Sequence, residues 1–173
     1  MGALENTAEE FADGAVALYS SDLELVSDGV GAAALQTVLI VFDSVALPPR
    51  ARVGAAFLVF AIDEVNAASH LPIHLTLHAE RSAAATMPSA VPFSVSARAR
   101  THASVDWTPP PSTTVGEELR TPDLRSVVQE VTALRCVGRL HRPARPLKAA
   151  LTASVLPVCL LAATGRSVAH SPS

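Results

Sequence analysis

Acidic residues are missing from the last quarter of this chain, where none of the 16 Asp and Glu follows Glu130. Residues 1–130 carry those 16 acids against seven Arg, a charge of −9, whereas residues 131–173 carry five Arg and one Lys, +6, which recovers the overall −3. A chain that is not globally basic is not built as a general nucleic-acid binder. Its basic tail reads as a solvated loop complementing an acidic body. Aromatics are scarce at 4%, so Arg139 to Arg145 has no interleaved rings on which bases stack. Charged residues are low, at 17%, and apolar residues high, at 49%, which excludes wholesale disorder. No uninterrupted apolar run is long enough for a standard transmembrane helix, so no membrane span is expected.

Chemistry-bearing motifs are also absent. There is no Gly-x-Ser-x-Gly elbow, the eight glycines form no phosphate-cradling loop, and no cysteine-protease signature surrounds Cys136 or Cys159. No nucleophile or acid/base set assembles, so no catalytic residue is assigned and no enzyme is expected. The two cysteines allow one bridge, but spacing does not give their separation, and two unpaired thiols are the preferred reading. Met1 to Asn6 has no basic stretch followed by an apolar run, so no signal peptide is read there.

The abundant residues are Ala, Val and Leu, and their spacing carries the fold. Residues 1–19 read as a lead-in. Asp22 to Val26 alternates charged and apolar side chains, a strand pattern. Gln36 to Val45 reads as a second strand. Gly54 to Ile62, almost continuously apolar, reads as a third and central one. From Leu71 to Glu80, Ile73, Leu75 and Leu77 face one way and His74, Thr76 and His78 the other, as in an antiparallel sheet with one wet face. Thr101 to Trp107 is a further short strand before Pro109. Leu151 to Ala163 reads as a buried strand in which Pro157 demands an edge or a bulge. One helix is expected over about 122–134: Thr121 is the N-cap, Pro122 and Asp123 suit the first turn, and Leu124, Val127, Val128, Val131 and Leu134 form one stripe. An Arg/Pro-rich loop follows at 135–148. The fold class is therefore mainly all-β, an antiparallel β-sandwich of jelly-roll type with one short packed helix, forming a single module over 20–173.

The order of segments resembles a known family. In sequence come Ser-Ser-Asp-Leu-Glu-Leu-Val at 20–26, Gln-Thr-Val-Leu-Ile-Val-Phe at 36–42 and Leu-Pro-Pro-Arg-Ala-Arg-Val at 47–53. Phe-Leu-Val-Phe-Ala-Ile-Asp-Glu follows at 57–64, then Ile-His-Leu-Thr-Leu-His-Ala-Glu at 73–80 and Ala-Ser-Val-Asp-Trp-Thr-Pro-Pro at 103–110. Thr-Pro-Asp-Leu-Arg-Ser-Val-Val-Gln-Glu-Val lies at 121–131 and Thr-Gly-Arg-Ser-Val-Ala-His-Ser at 164–171. The series is similar to the extracellular β-sandwich modules of the DNRLRE and alginate-binding type, and covers residues 20–134 best. The resemblance implies a non-catalytic carbohydrate-binding module at the cell surface or outside the cell, with polysaccharide as partner. The alternative is a structural or adhesive unit without sugar affinity. The chain departs from the family at 135–148 and lacks the family's last strand after Ser171, which would leave an open edge able to pair with another chain or domain.

Sugar recognition asks for an apolar platform beside polar groups. Trp107 and Tyr19 are the candidate platforms; Arg98, Arg100 and Arg120 are the candidate partners for uronate carboxylates. Each has a plainer reading as core aromatic or surface arginine. His74 and His78 share a strand face but lack a third ligand, and read as solvated sheet-face residues. Asp63 with Glu64, and Asp22 with Glu24, offer hard oxygens, yet no calcium loop is present, so no cofactor is assigned and structural calcium stays the one alternative.

Overall fold

The computed structural model describes residues 6–18, 22–25, 35–45, 47, 51–65, 73–82, 85–86, 88–134 and 156–163. Within them the chain is mainly strands in antiparallel sheets, with one helix. The strands are β1 (Thr7–Phe11), β2 (Val16–Leu18), β3 (Gln36–Val45), β4 (Val59–Ala61), β5 (Leu75–Ala79), β6 (Val105–Trp107), β7 (Glu118–Arg120) and β8 (Leu156–Ala163), and helix α1 is Arg125–Leu134. Six strands form one sheet in the order β2-β1-β3-β8-β5-β6, while β4 and β7 form a separate two-stranded ribbon.

The Val, Ile and Phe content of 36–45 placed β3 correctly, and period-two alternation placed β5. Leu75, Leu77 and Ala79 are buried while Thr76 and His78 are half-buried on the opposite side. Four expectations need correction. The lead-in over 1–19 contains the β1–β2 hairpin, turned at Gly14 with φ +88°, and β1 pairs with β3 along all five of its residues. The alternating segment at 22–25 is not a strand; the Glu9 carboxylate holds it through the Glu24 amide (2.9 Å), and Gln36 Nε2 donates to the Glu24 carbonyl (2.6 Å). Gly54 to Ile62 is not central: its strand lies in the two-stranded ribbon with every second residue exposed. The helix cap is Asp123, whose Oδ1 accepts the Arg125 amide at 3.0 Å. The Thr121 hydroxyl is engaged elsewhere, accepting the Leu58 amide at 3.1 Å.

Pro157 meets its bulge. Phe42 pairs with Val158 and Val45 with Leu156, so the register shifts between them opposite Pro157, where the ring has no N–H to give the ladder. The loop at 135–148, Cys136 with any pairing to Cys159, and Thr164 to Ser171 lie outside the described residues.

The sheet is packed on both sides. On one side Val38, Leu75, Leu77, Ala79 and Trp107 meet Leu119 of the ribbon and Leu124, Val127 and Val131 of the helix segment. On the other, Ala8, Leu39 and Val41 pack against Val95. Val95 belongs to an irregular stretch, 88–98, fastened by the Glu10 carboxylate, which accepts the Val95 amide (2.8 Å) and the Ser96 amide (3.0 Å). Phe93 in that stretch has φ 60°, uncommon for a residue with a side chain. Its amide donates to the Gly14 carbonyl at 2.9 Å, and its ring rests where a Gly14 side chain would stand.

Candidate recognition surface

The ribbon places an arginine over an aromatic ring. Val59 pairs with Arg120 and Ala61 with Glu118, so in the pleat these four share the outward face with Phe57. The Arg120 guanidinium lies 3.5 Å from the Phe57 ring centroid. Phe57 is 40% and Val59 55% exposed. A guanidinium stacked by its face keeps its N–H edge free to fork onto a carboxylate, and the ring restricts its orientation. Arg120 is thus the one predicted arginine presented on an apolar, solvent-facing platform.

The other predicted residues go elsewhere. Trp107 is 5% exposed and stacks on Phe60 with centroids 5.6 Å apart; its place is the core, which removes it as a platform. Its strand, β6, is the edge of the six-stranded sheet beside β5, and the Phe60 ring of the ribbon covers the aromatic that ends it. Arg98 is a structural tie: Nη1 donates to Glu80 Oε2 (2.7 Å) and the Thr86 carbonyl (2.9 Å), and Nε to the Ser94 carbonyl (3.1 Å). Arg100 is half-buried in an antiparallel bridge with Glu80. Arg98 and Arg100 are thus tied to Glu80 at the end of β5, whereas Arg120 belongs to the ribbon. Tyr19 lies outside the described residues.

Phe57 was missed because its role depends on β7, a strand of three residues with no periodic signal of its own. Ala55 to Ile62 is apolar at every position, so the sequence carried no alternation to mark the outward face.

Over β5 and β6 the face of the six-stranded sheet opposite the ribbon is polar. Thr76 Oγ1 donates to Asp106 Oδ1 at 2.9 Å, and His74 Nδ1 and Thr108 Oγ1 lie 2.8 Å apart. His78 Nδ1 is buried with no hydrogen-bond partner among the described residues. Among the described residues no three His, Cys, Asp or Glu side chains are grouped to hold a metal ion. No described helix is long and apolar enough to cross a membrane.

Two carboxylates are displaced from their ordinary values. The Ala56 amide is the main influence on Asp123, and with the Arg125 amide and guanidinium it lowers the pKa against desolvation. For Glu130 desolvation is the largest single influence and raises the pKa. The amides of Ala103 and His102, with the charges of His102 and Arg81, outweigh it and leave the carboxyl lowered. Both groups fasten segments: Glu130 holds the 102–103 backbone at 3.0 and 2.9 Å, and Asp123 holds Ala56 at 3.1 Å.

Set against known protein families, curated proteins and solved structures, the chain matches none.

Proposed function

We propose that this chain is a non-catalytic carbohydrate-binding module of jelly-roll sandwich type, acting outside the cell, and that it takes acidic polysaccharide at Arg120. The observation that carries the reading is the guanidinium held 3.5 Å over the exposed Phe57 ring. A uronate carboxylate accepts two parallel hydrogen bonds from such a group, while the apolar strip of Phe57, Val59 and Ala61 lies beneath the sugar. The ordered segments at 20–131 that resemble extracellular glycan-binding modules support the class of ligand. Fold likeness alone does not fix function, so the weight rests on the site.

Affinity electrophoresis through gels containing polyuronate or neutral glucan tests this. The expected result is retardation by polyuronate, weakened by salt and lost in Arg120→Ala with an unchanged circular-dichroism spectrum. Migration unaffected by every glycan overturns it. That outcome supports the second reading, a structural or adhesive unit without sugar affinity. Two observations favour it: the single tryptophan is buried in the core, and Arg98 is committed to Glu80.

A further inference from the structure

Residues 55–63 alternate without a break. Ala55, Phe57, Val59, Ala61 and Asp63 are exposed, while Ala56, Leu58, Phe60 and Ile62 are half-buried. One edge of this segment is hydrogen-bonded throughout. The Ala56 carbonyl accepts the Leu124 amide (2.7 Å), the Leu58 carbonyl accepts the Thr121 amide (3.0 Å), and the Ile62 amide donates to the Glu117 carbonyl (2.9 Å). The Ala56 and Leu58 amides donate to Asp123 Oδ1 and Thr121 Oγ1. In an antiparallel pair, bonded and non-bonded positions alternate. The N–H and C=O groups of Phe57, Val59 and Ala61 therefore point to the opposite edge. Among the described residues no strand pairs there, since the ribbon consists of β4 and β7 alone.

Proteins usually guard such an edge with charge, proline, a bulge or brevity. Residues 55–62 contain no charged residue and no proline, and the bonds just given keep them extended. Among the described residues the edge is thus bare, and it is apolar and long enough to template another strand.

We propose that this edge pairs with the same segment of a second copy of the chain, antiparallel about a two-fold axis at Val59. The sequence is self-complementary in that register. Val59 meets Val59, Leu58 meets Phe60, Phe57 meets the small Ala61 and the small Ala56 meets Ile62, apolar against apolar at every one of these positions. The outward amides of 57, 59 and 61 then exchange bonds in pairs. The two Asp63 carboxylates lie at opposite ends of the paired segment, about 27 Å apart at ~3.4 Å per residue. Moving the axis to Ala61 would bring them closer together. Pairing of identical patches closes on itself, giving a dimer rather than a fibre. The product is a four-stranded sheet, β7-β4-β4-β7, with both Arg120 side chains on one face.

Sedimentation equilibrium from about 1 µM to about 1 mM protein tests the proposal, together with hydrogen exchange at both ends of that range. The wild type should dimerise, with protection rising at the amides of Phe57, Val59 and Ala61. Val59→Lys sets two ammonium groups against each other on the axis and should weaken dimerisation by about tenfold or more. Val59→Pro removes the outward donor while leaving the bonds to β7, and should abolish the dimer; Val59→Thr should keep it. Circular dichroism confirms that each variant is folded. A wild type monomeric throughout, a dimer unaffected by Val59→Lys, or protection gained elsewhere overturns the pairing. Because Arg120→Ala leaves the edge intact, the sugar reading and this one fail independently.

Discussion

The two sides of the six-stranded sheet are closed by different physics. One is sealed by apolar area: Leu75, Leu77 and Trp107 under the helix and the ribbon. The other is sealed over β1 and β3 by a loop held through one buried carboxylate, Glu10, with Val95 as its apolar contact, and over β5 and β6 it carries hydrogen-bonded polar pairs. Aliphatic contacts spread their contribution over many atoms, whereas a charged clip concentrates it in two or three hydrogen bonds. The first side should fail with the whole fold, the second locally.

The largest test is Leu77→Ala. Leu77 is fully buried at 0% exposure, and its truncation should cost about 2–5 kcal/mol in urea denaturation, lowering protection on both sides together. Glu10→Gln comes next, at about 1–3 kcal/mol. Its signature is selective: residues 88–98 should become open to proteolysis and hydrogen exchange while β5 and α1 stay protected. Gly14→Ala should cost about 1–2 kcal/mol, because φ there is positive and the Phe93 ring occupies the space. It too should loosen the 88–98 stretch first.

A pH series separates the sides further. The Glu130 carboxyl has a lowered pKa in the fold, so its contribution is fully present above the ordinary glutamate range and is lost as pH falls through the lowered folded value. Stability should decline along that limb, and Glu130→Gln should flatten it in urea titrations at stepped pH. The smallest effect is Asp106→Asn, on the polar stretch: within about 0.5 kcal/mol by thermal melting.

Much of this comparison was legible in the sequence and part was not. Leu75, Leu77 and the helix stripe of Val127 and Val131 announced the apolar side because burial and period coincide there. The β1–β2 hairpin escaped notice because Glu9 and Glu10 look like surface residues. Their burial, 3% and 4% exposed, makes sense only once the amides they accept from Glu24, Val95 and Ser96 are in place. Gly54 to Ile62 misled for the converse reason: a run apolar on both faces reads as central whether or not one face is covered. Of the site, Arg120 was found from charge alone. Its setting on Phe57 needed the cross-strand register that joins Val59 to Arg120, which no local pattern encodes. Trp107 was readable as platform or core, and the ring of Phe60 above it decides the matter.

The position of β8 carries one more consequence. The last of the described strands lies between β3 and β5, neighbours of each other in neither sequence nor space without it. As a nascent polypeptide leaves the ribosome, the hairpin, the ribbon and the helix all emerge while the middle of the large sheet is still vacant. Two strands wait with half their ladders unfilled until residue 163 is out, an interval in which chaperones or aggregation compete for them. A shortened chain ending at α1 would be held permanently at that stage.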